Sequence, residues 1–289
     1  MNNKLTIDSK RAVSIQRRGS YTAPSGRTVD FRTEQKSAEA GTSLLHLTDF
    51  PELLTLPSAS TRYETRILVT PETSLQAIAR LALECDGTDL LCLNFASAKN
   101  PGGGFLNGAQ AQEESLARAS GLYHCLLQQP EFYAFHRAQG DLLYSDHMIL
   151  SPGVPVFADD NGRLLESPLL CGFLTSPAVN ARMIERNTPE IRAQIRPTMK
   201  RRMERVLWLA ASSGYKTLIL GAWGCGVFGC DPVMVAELFA EALQGPFASC
   251  FEEVVFAVYD RSKAGATRTA FSDILRRNGK PEKPCLQPY

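Results

Sequence analysis

One arrangement occurs twice in this chain and restricts its fold more than any other feature: an apolar run, a glycine-rich break, then a helical pattern. The first copy begins at residues 90–95, LLCLNF, a run of the length expected of a buried strand. Pro101, Gly102, Gly103 and Gly104 break it. Leu116, Ala119, Tyr123 and Leu126 then fall on one helical face. The second copy begins with the β-rich run 217–223 and enters GAWGCGVFGCDP. Asp231 and Pro232 open the helix behind it, whose stripe is Val235, Leu238, Phe239 and Ala242. Repeated strand, loop and helix units imply an α/β fold, with a mixed sheet flanked by helices on both faces.

Glycine lets backbone amides approach a ligand where a Cβ would clash. A helix N-terminus adds partial positive charge, which suits a phosphate or an oxygen-rich sugar. A glycine run before a helix is also compatible with a plain tight turn. No Gly-Lys-Ser/Thr follows the first loop, and it lacks the G-x-G-x-x-G spacing of dinucleotide-binding folds. Glu113 and Glu114 stand in the first turns of its helix, where on spacing alone they are a favourable dipole interaction.

Around these units the reading is coarser. Residues 1–60 are polar and mixed, with two short strands expected around a turn at Pro24 and Gly26; Pro51 and Pro57 mark a junction. Residues 66–69 read as a strand, and Thr73 with Gln76 as the capping box of the next helix. Strands are expected at 147–150, 155–157, 169–174 and 253–259, with a hairpin turn at Asp159, Asp160, Asn161 and Gly162. Thr188 and Pro189 open a helix that Pro197 breaks, and a second helix covers about 198–212 with Lys200, Arg201 and Arg202 on a solvated face. The tail 279–289 reads as loose.

Composition excludes several classes. A net charge of +1 offers no field to hold DNA or another polyanion without a specific site. The eight cysteines form no C-x-x-C and the four histidines no H-x₃-H, so no zinc site is expected. No run approaches a membrane span, and no secretory leader is evident. A reduced cytoplasm is the default compartment.

The first loop carries a more specific signal. Gly102 to Gly104, seven residues, then Gln112, Glu113 and Glu114 resembles the signature of poly(ADP-ribose) glycohydrolases. The flanking LNFASAKNPGGGFLNGAQAQEES resembles the microbial branch of that family. GSYTAPSGRTVDF, PGVPVF, TSPAVNA and GVFGCDP extend the likeness over nearly the whole chain. The resemblance implies a macrodomain-like core at 61–289, with residues 1–60 as an N-terminal extension packed on it; Leu44, Leu45, Leu47 and Leu53 would be buried there.

It further implies hydrolysis of the ribose–ribose O-glycosidic bond of poly(ADP-ribose), without metal or organic cofactor. Glu114 would be the general acid and then base, and Glu113 would bind ribose hydroxyls. Asn94 and Asn100 would face the distal ribose, with Phe105, Asn107 and Gln112 shaping the pocket. Gly224, Gly226, Val227, Phe228 and Gly229 would wrap the diphosphate. Glu72 and Thr73 would meet the adenine amino group, although Pro71-Glu72 departs from the more usual Gly-Asp. Tyr259 or Phe256 would pack on adenine. If residues 105–107 and Val227 with Phe228 close the pocket, the enzyme acts on chain ends. Its partners would be the polymer and ADP-ribosylated proteins, with ADP-ribose as product, in the reversal of ADP-ribosylation and the DNA damage response. Two other readings stand beside it: a non-catalytic ADP-ribose reader, and a mono-ADP-ribosyl or O-acetyl-ADP-ribose hydrolase.

Overall fold

The computed structural model describes residues 3–52, 54, 62–84, 89–260, 262 and 264–277. Leu53, Pro57, Cys85, Cys285 and the tail 279–289 lie outside the described residues. The chain opens with α1 (Asn3–Arg18), β1 (Ser20–Thr22), β2 (Thr28–Asp30), α2 (Arg32–Gly41) and β3 (Ser43–Leu45). Next come β4 (Arg66–Thr70), α3 (Ser74–Glu84), β5 (Leu90–Phe95), α4 (Gln112–Ala119), α5 (Leu122–Leu127) and α6 (Pro130–Gln139). Two long strands, β6 (Met148–Ala158) and β7 (Leu164–Ser176), precede α7 (Ala181–Asn187) and α8 (Ile195–Ser212). β8 (Thr217–Leu220), α9 (Pro232–Gln244), β9 (Glu253–Ala257) and α10 (Ala266–Arg277) complete it.

β1 and β2 form a small antiparallel pair, while the other strands make one seven-stranded sheet in the order β3-β6-β7-β5-β8-β9-β4. From β7 to β4 every pairing is parallel, and β6 runs against both its neighbours. The carboxyl ends of five strands therefore meet along one edge. Alternation along each strand divides the core. Leu91, Leu93, Leu218, Leu220, Val254 and Phe256 face the cluster that includes buried residues of α8, α9 and α10. Leu90, Cys92, Ile219, Val255 and Ala257 face the cluster that includes α3, α4 and α5. Both faces bury apolar residues, as parallel sheets require.

Several expectations change. α1 and α2 replace much of the irregular N-terminal segment. Of α1's apolar residues only Ala12 and Ile15 are buried, and polar bonds supply other anchors: Ser9 Oγ donates to the Phe105 carbonyl at 2.6 Å and Gln16 Nε2 to that of Ala117 at 3.1 Å. Leu44 and Leu45 pack partly against the cores, but Leu47 is half exposed. The strand candidates at 147–150 and 155–157 are one strand, with a register shift between Ser151 and Val154. Pro197 breaks nothing, because it lies in the first turn of α8, where no intrahelical partner is needed for a backbone N–H. Arg202 is not solvated: it is fully buried, donating to Asp146 at 2.8 Å and to the carbonyls of Pro177 and Leu143. A buried charge is tolerated only when paired and hydrogen-bonded in this way.

Candidate active site

At the carboxyl edge of the parallel strands lies a cavity of about 910 Å³, within the usual size of a small-ligand site. One wall is the N-terminal turn of α4, and another is the loop after β8. Gln112 fixes the first wall. Its Oε1 accepts from Phe95 N at 2.9 Å, and its Nε2 donates to the Leu93 carbonyl at 2.8 Å and to Ser74 Oγ at 3.0 Å. The end of β5 and the starts of α3 and α4 are thereby tied together.

Glu113 points into the protein and is 3% exposed. One oxygen accepts from Ser97 N at 2.6 Å, the other from Asn94 Nδ2 at 3.3 Å. Burial pushes its carboxyl up to about 8; the Ser97 amide acts against this and the neighbouring Glu114 charge adds to it. Glu114 is half-buried and held at both oxygens: Oε1 accepts from Gly104 N at 3.0 Å and Oε2 from Ala111 N at 2.9 Å. Arg118, one helical turn on, donates to the Ala109 carbonyl at 2.8 Å. Side chains of α4 thus anchor the loop before it at residues 104, 109 and 111.

The first glycines serve these carboxylates. A Cβ on Gly103, whose φ is +61°, would overlap Glu114 Oε1 and come within 3.0 Å of Glu113 Oε2. One on Gly104 would lie 2.9 Å from the Ala109 Cβ, and one on Gly102 would press on the Phe105 ring at 3.0 Å. Glu113 and Glu114 border the cavity; Gly102, Gly103 and Gly104 do not. The amides expected to face a ligand are turned toward the chain itself: that of Gly104 to Glu114 and that of Gly103 to the Asn100 carbonyl at 3.0 Å.

The second loop differs. Gly224, Cys225, Gly226, Val227 and Phe228 all border the cavity, and an added Cβ on Gly226 would meet nothing within 4 Å. Gly224, at φ +78°, fits between Ala178 and Cys230, while Gly229 lies beside Arg182. Arg182, absent from the sequence reading, holds this loop: its amide donates to the Phe228 carbonyl at 2.8 Å and its Nη2 to that of Gly226 at 3.3 Å.

The remaining expected residues are scattered. Thr73 borders the cavity, keeps its capping box with Gln76, and donates through Oγ1 to Asp160 Oδ2 at 2.6 Å. The β6–β7 turn therefore reaches the site, which its sequence read only as a turn. Glu72 is outside the cavity lining and paired with Arg80 at 2.8 Å, which holds its carboxyl below the usual range. Tyr259 borders the cavity and is 55% exposed; Phe256 is fully buried between Phe239 and Phe271.

Asn94 is fully buried beneath Glu113, bonded also to Thr175 Oγ1 at 3.1 Å, and does not border the cavity. Asn100 is exposed in the turn before the glycines. Phe105 is buried edge-on against Tyr123 at 4.7 Å, and Asn107 is exposed. Of the two features expected to close the pocket, only Val227 and Phe228 border it. Among the described residues no group of three His, Cys, Asp or Glu is placed to hold a metal ion. No described helix is long and apolar enough to cross a membrane.

A macrodomain-like mixed sheet carrying two adjacent carboxyls at the edge of a strand-end cavity defines a glycoside-hydrolase type of site. The chain belongs to the family of microbial-type poly(ADP-ribose) glycohydrolases, whose catalytic-domain model matches residues 9–159. The glycohydrolase of Thermomonospora curvata is similar at 49% identity with a TM-score of 0.90, over 94% of this chain and 100% of that one. The same enzyme bound to the inhibitor ADP-HPD is similar at 49% identity and TM-score 0.87, over 94% and 99% of the two chains. The Deinococcus radiodurans enzyme in complex with ADP-ribose is similar at 44% identity and TM-score 0.78, over 84% and 97%. The search of curated proteins found no match.

Proposed function

We propose that this chain hydrolyses the ribose–ribose O-glycosidic bond of poly(ADP-ribose) and releases ADP-ribose, with Glu114 as general acid and then general base. The observation that carries the reading is the placement of Glu113 and Glu114 at the cavity edge, with Gly103 behind them too close to carry a Cβ. In the proposed step Glu114 gives a proton to the departing 2′-oxygen as the bond to the anomeric carbon breaks. It then takes a proton from the water that attacks that carbon. Glu113, whose carboxyl burial pushes up to about 8, binds ribose hydroxyls. A diphosphate along Gly224 to Gly229 adds negative charge, which acts on Glu113 in the same direction as its burial. No metal has a part in this scheme.

Adenine lies toward Tyr259 and Thr73 in this reading. Val227 and Phe228, which border the cavity, close it on the side away from the scissile bond, so cleavage proceeds from chain ends. Residues 1–60 act as an accessory segment packed on a catalytic unit of 61–289, a packing supported by the bonds from α1 to Phe105 and Ala117 and by the pairing of β3 with β6. ADP-ribosylated proteins, a cytoplasmic location and a part in the response to DNA damage belong to the same proposal.

A time course with radiolabelled polymer tests it. The expected result is early free ADP-ribose with slowly shortening chains. Mid-length oligomers at early times would contradict end preference. Binding without release would favour a non-catalytic reader, and inert polymer with a cleaved monomeric conjugate would favour a mono-ADP-ribosyl hydrolase.

A further inference from the structure

A second, smaller cavity of about 260 Å³ adjoins the first. It lies between α1, the outer face of α4 and the β6–β7 turn. Gln110, Ser115, Asp160 and Asn161 border both cavities, so the two are adjacent. Ser115 is the residue after Glu114. Arg118, which borders the smaller cavity alone, is one turn further along the same helical face as Glu114.

The charges there are unevenly committed. Lys4, Arg11 and Arg118 supply three cations, and Lys4 and Arg11 make no ion pair with another described residue. Lys4, Asp8 and Arg11 share one face of α1 at helical spacing. Of the three carboxylates, Asp159 is taken up by the Asn161 and Arg163 amides and the Arg163 side chain, and Asp160 accepts from Thr73. Asp8 is left opposite Arg118, whose guanidinium is held below its ordinary pKa mainly by burial.

A glycosidic bond in a polymer has a unit on each side, and the function proposed above places one of them in the larger cavity. We propose that the groove between α1, α4 and the β6–β7 turn is a subsite for the unit on the leaving side, with Lys4, Arg11 and Arg118 receiving its diphosphate. This rests on the function proposed above. The leaving 2′-oxygen and the diphosphate of the same unit are separated by about one ribose, comparable to the ~5.4 Å advance of one helical turn from Glu114 to Arg118. The groove is too small for a whole ADP-ribose and leaves the adenine of the leaving unit outside. It also gives α1 a part in substrate binding besides its packing.

Direct binding separates this proposal from the reading it rests on. In the Glu114→Gln protein, affinities for ADP-ribose and for an ADP-ribose dimer are measured at low and high salt. The dimer is expected to bind about tenfold tighter at low salt, the size of effect two or three partly exposed cations produce, and the advantage should shrink as salt rises. Lys4→Gln with Arg11→Gln should abolish the advantage and leave ADP-ribose affinity unchanged. Circular dichroism and Tm of this variant show whether α1 is intact, and Lys4→Arg with Arg11→Lys should retain the advantage. Equal affinities for dimer and ADP-ribose in the parent, or an advantage that survives both neutral substitutions, would overturn the subsite. A dimer advantage in a chain that never cleaves polymer would leave the subsite standing and remove the proposed activity.

Discussion

The two glycine loops have the same sequence plan and opposite uses. In the first, the backbone closes on side chains of its own helix: Gly104 N and Ala111 N bond Glu114, Ser97 N bonds Glu113, and Gly103 leaves no room for a Cβ. In the second, Gly226 has open space beside it and the loop borders the cavity over seven consecutive residues, 222–228. Glycine in the first loop is a condition for placing carboxylates. In the second, at Gly226, no neighbouring atom requires it. A glycine run therefore reports close approach, but the partner can be the protein itself.

The largest expected effect breaks the first loop. Gly103→Ala forces a left-handed residue to carry a Cβ and pushes on both carboxylates. Polymer turnover should fall about a hundredfold or more, as displacements of about 1 Å do, while ADP-ribose affinity changes far less. Steady-state kinetics and calorimetric titration measure the two; a variant with normal turnover would mean that the loop does not position the pair.

Glu113→Gln sharpens the comparison through pH. The folded-state pKa of about 8 lies above the ordinary 4.5, so the folded chain holds this proton more tightly than the unfolded chain. The stability it contributes is complete below about pH 4.5 and is lost as pH rises through about 8. The glutamine variant titrates nothing here. Its Tm should gain on the parent by on the order of 5 °C between pH 5 and pH 8.5. A constant Tm difference over that range would mean that Glu113 is not buried as described.

The smallest effect is expected in the second loop. Gly226→Ala meets open space, and its φ is not among the positive values. ADP-ribose affinity should change by about threefold or less, with turnover kept. A loss as large as that of Gly103→Ala would show that the two loops are alike after all.

Much of this was legible in the sequence, because it is written in local spacing. β5, the Thr73 cap and the Asp231 start of α9 all follow from runs and capping residues, whereas the stripe from Leu116 to Leu126 is divided between α4 and α5 at Ser120 and Gly121. The family resemblance carried by GGG, seven residues and QEE rests on one contiguous stretch. What was not legible depends on partners distant in the chain. α1 is anchored in part by polar bonds to residues about a hundred positions away, so its apolar stripe is thin. Arg202 reads as solvated because nothing near it in sequence announces Asp146, 56 residues earlier. Asp160 reads as a turn residue because only the sheet brings it to Thr73. Asn94 and Phe105 suit a pocket in type, yet strand register and ring packing turn them inward.

The central claim is that Glu114 performs the proton transfers at this site. Its most direct test compares Glu114→Gln with the parent in two measurements on one preparation: single-turnover release of ADP-ribose from labelled polymer, and ADP-ribose affinity. The release rate is expected to fall by about two to four powers of ten, with affinity within a few fold of the parent. Near-normal release by Glu114→Gln would contradict it.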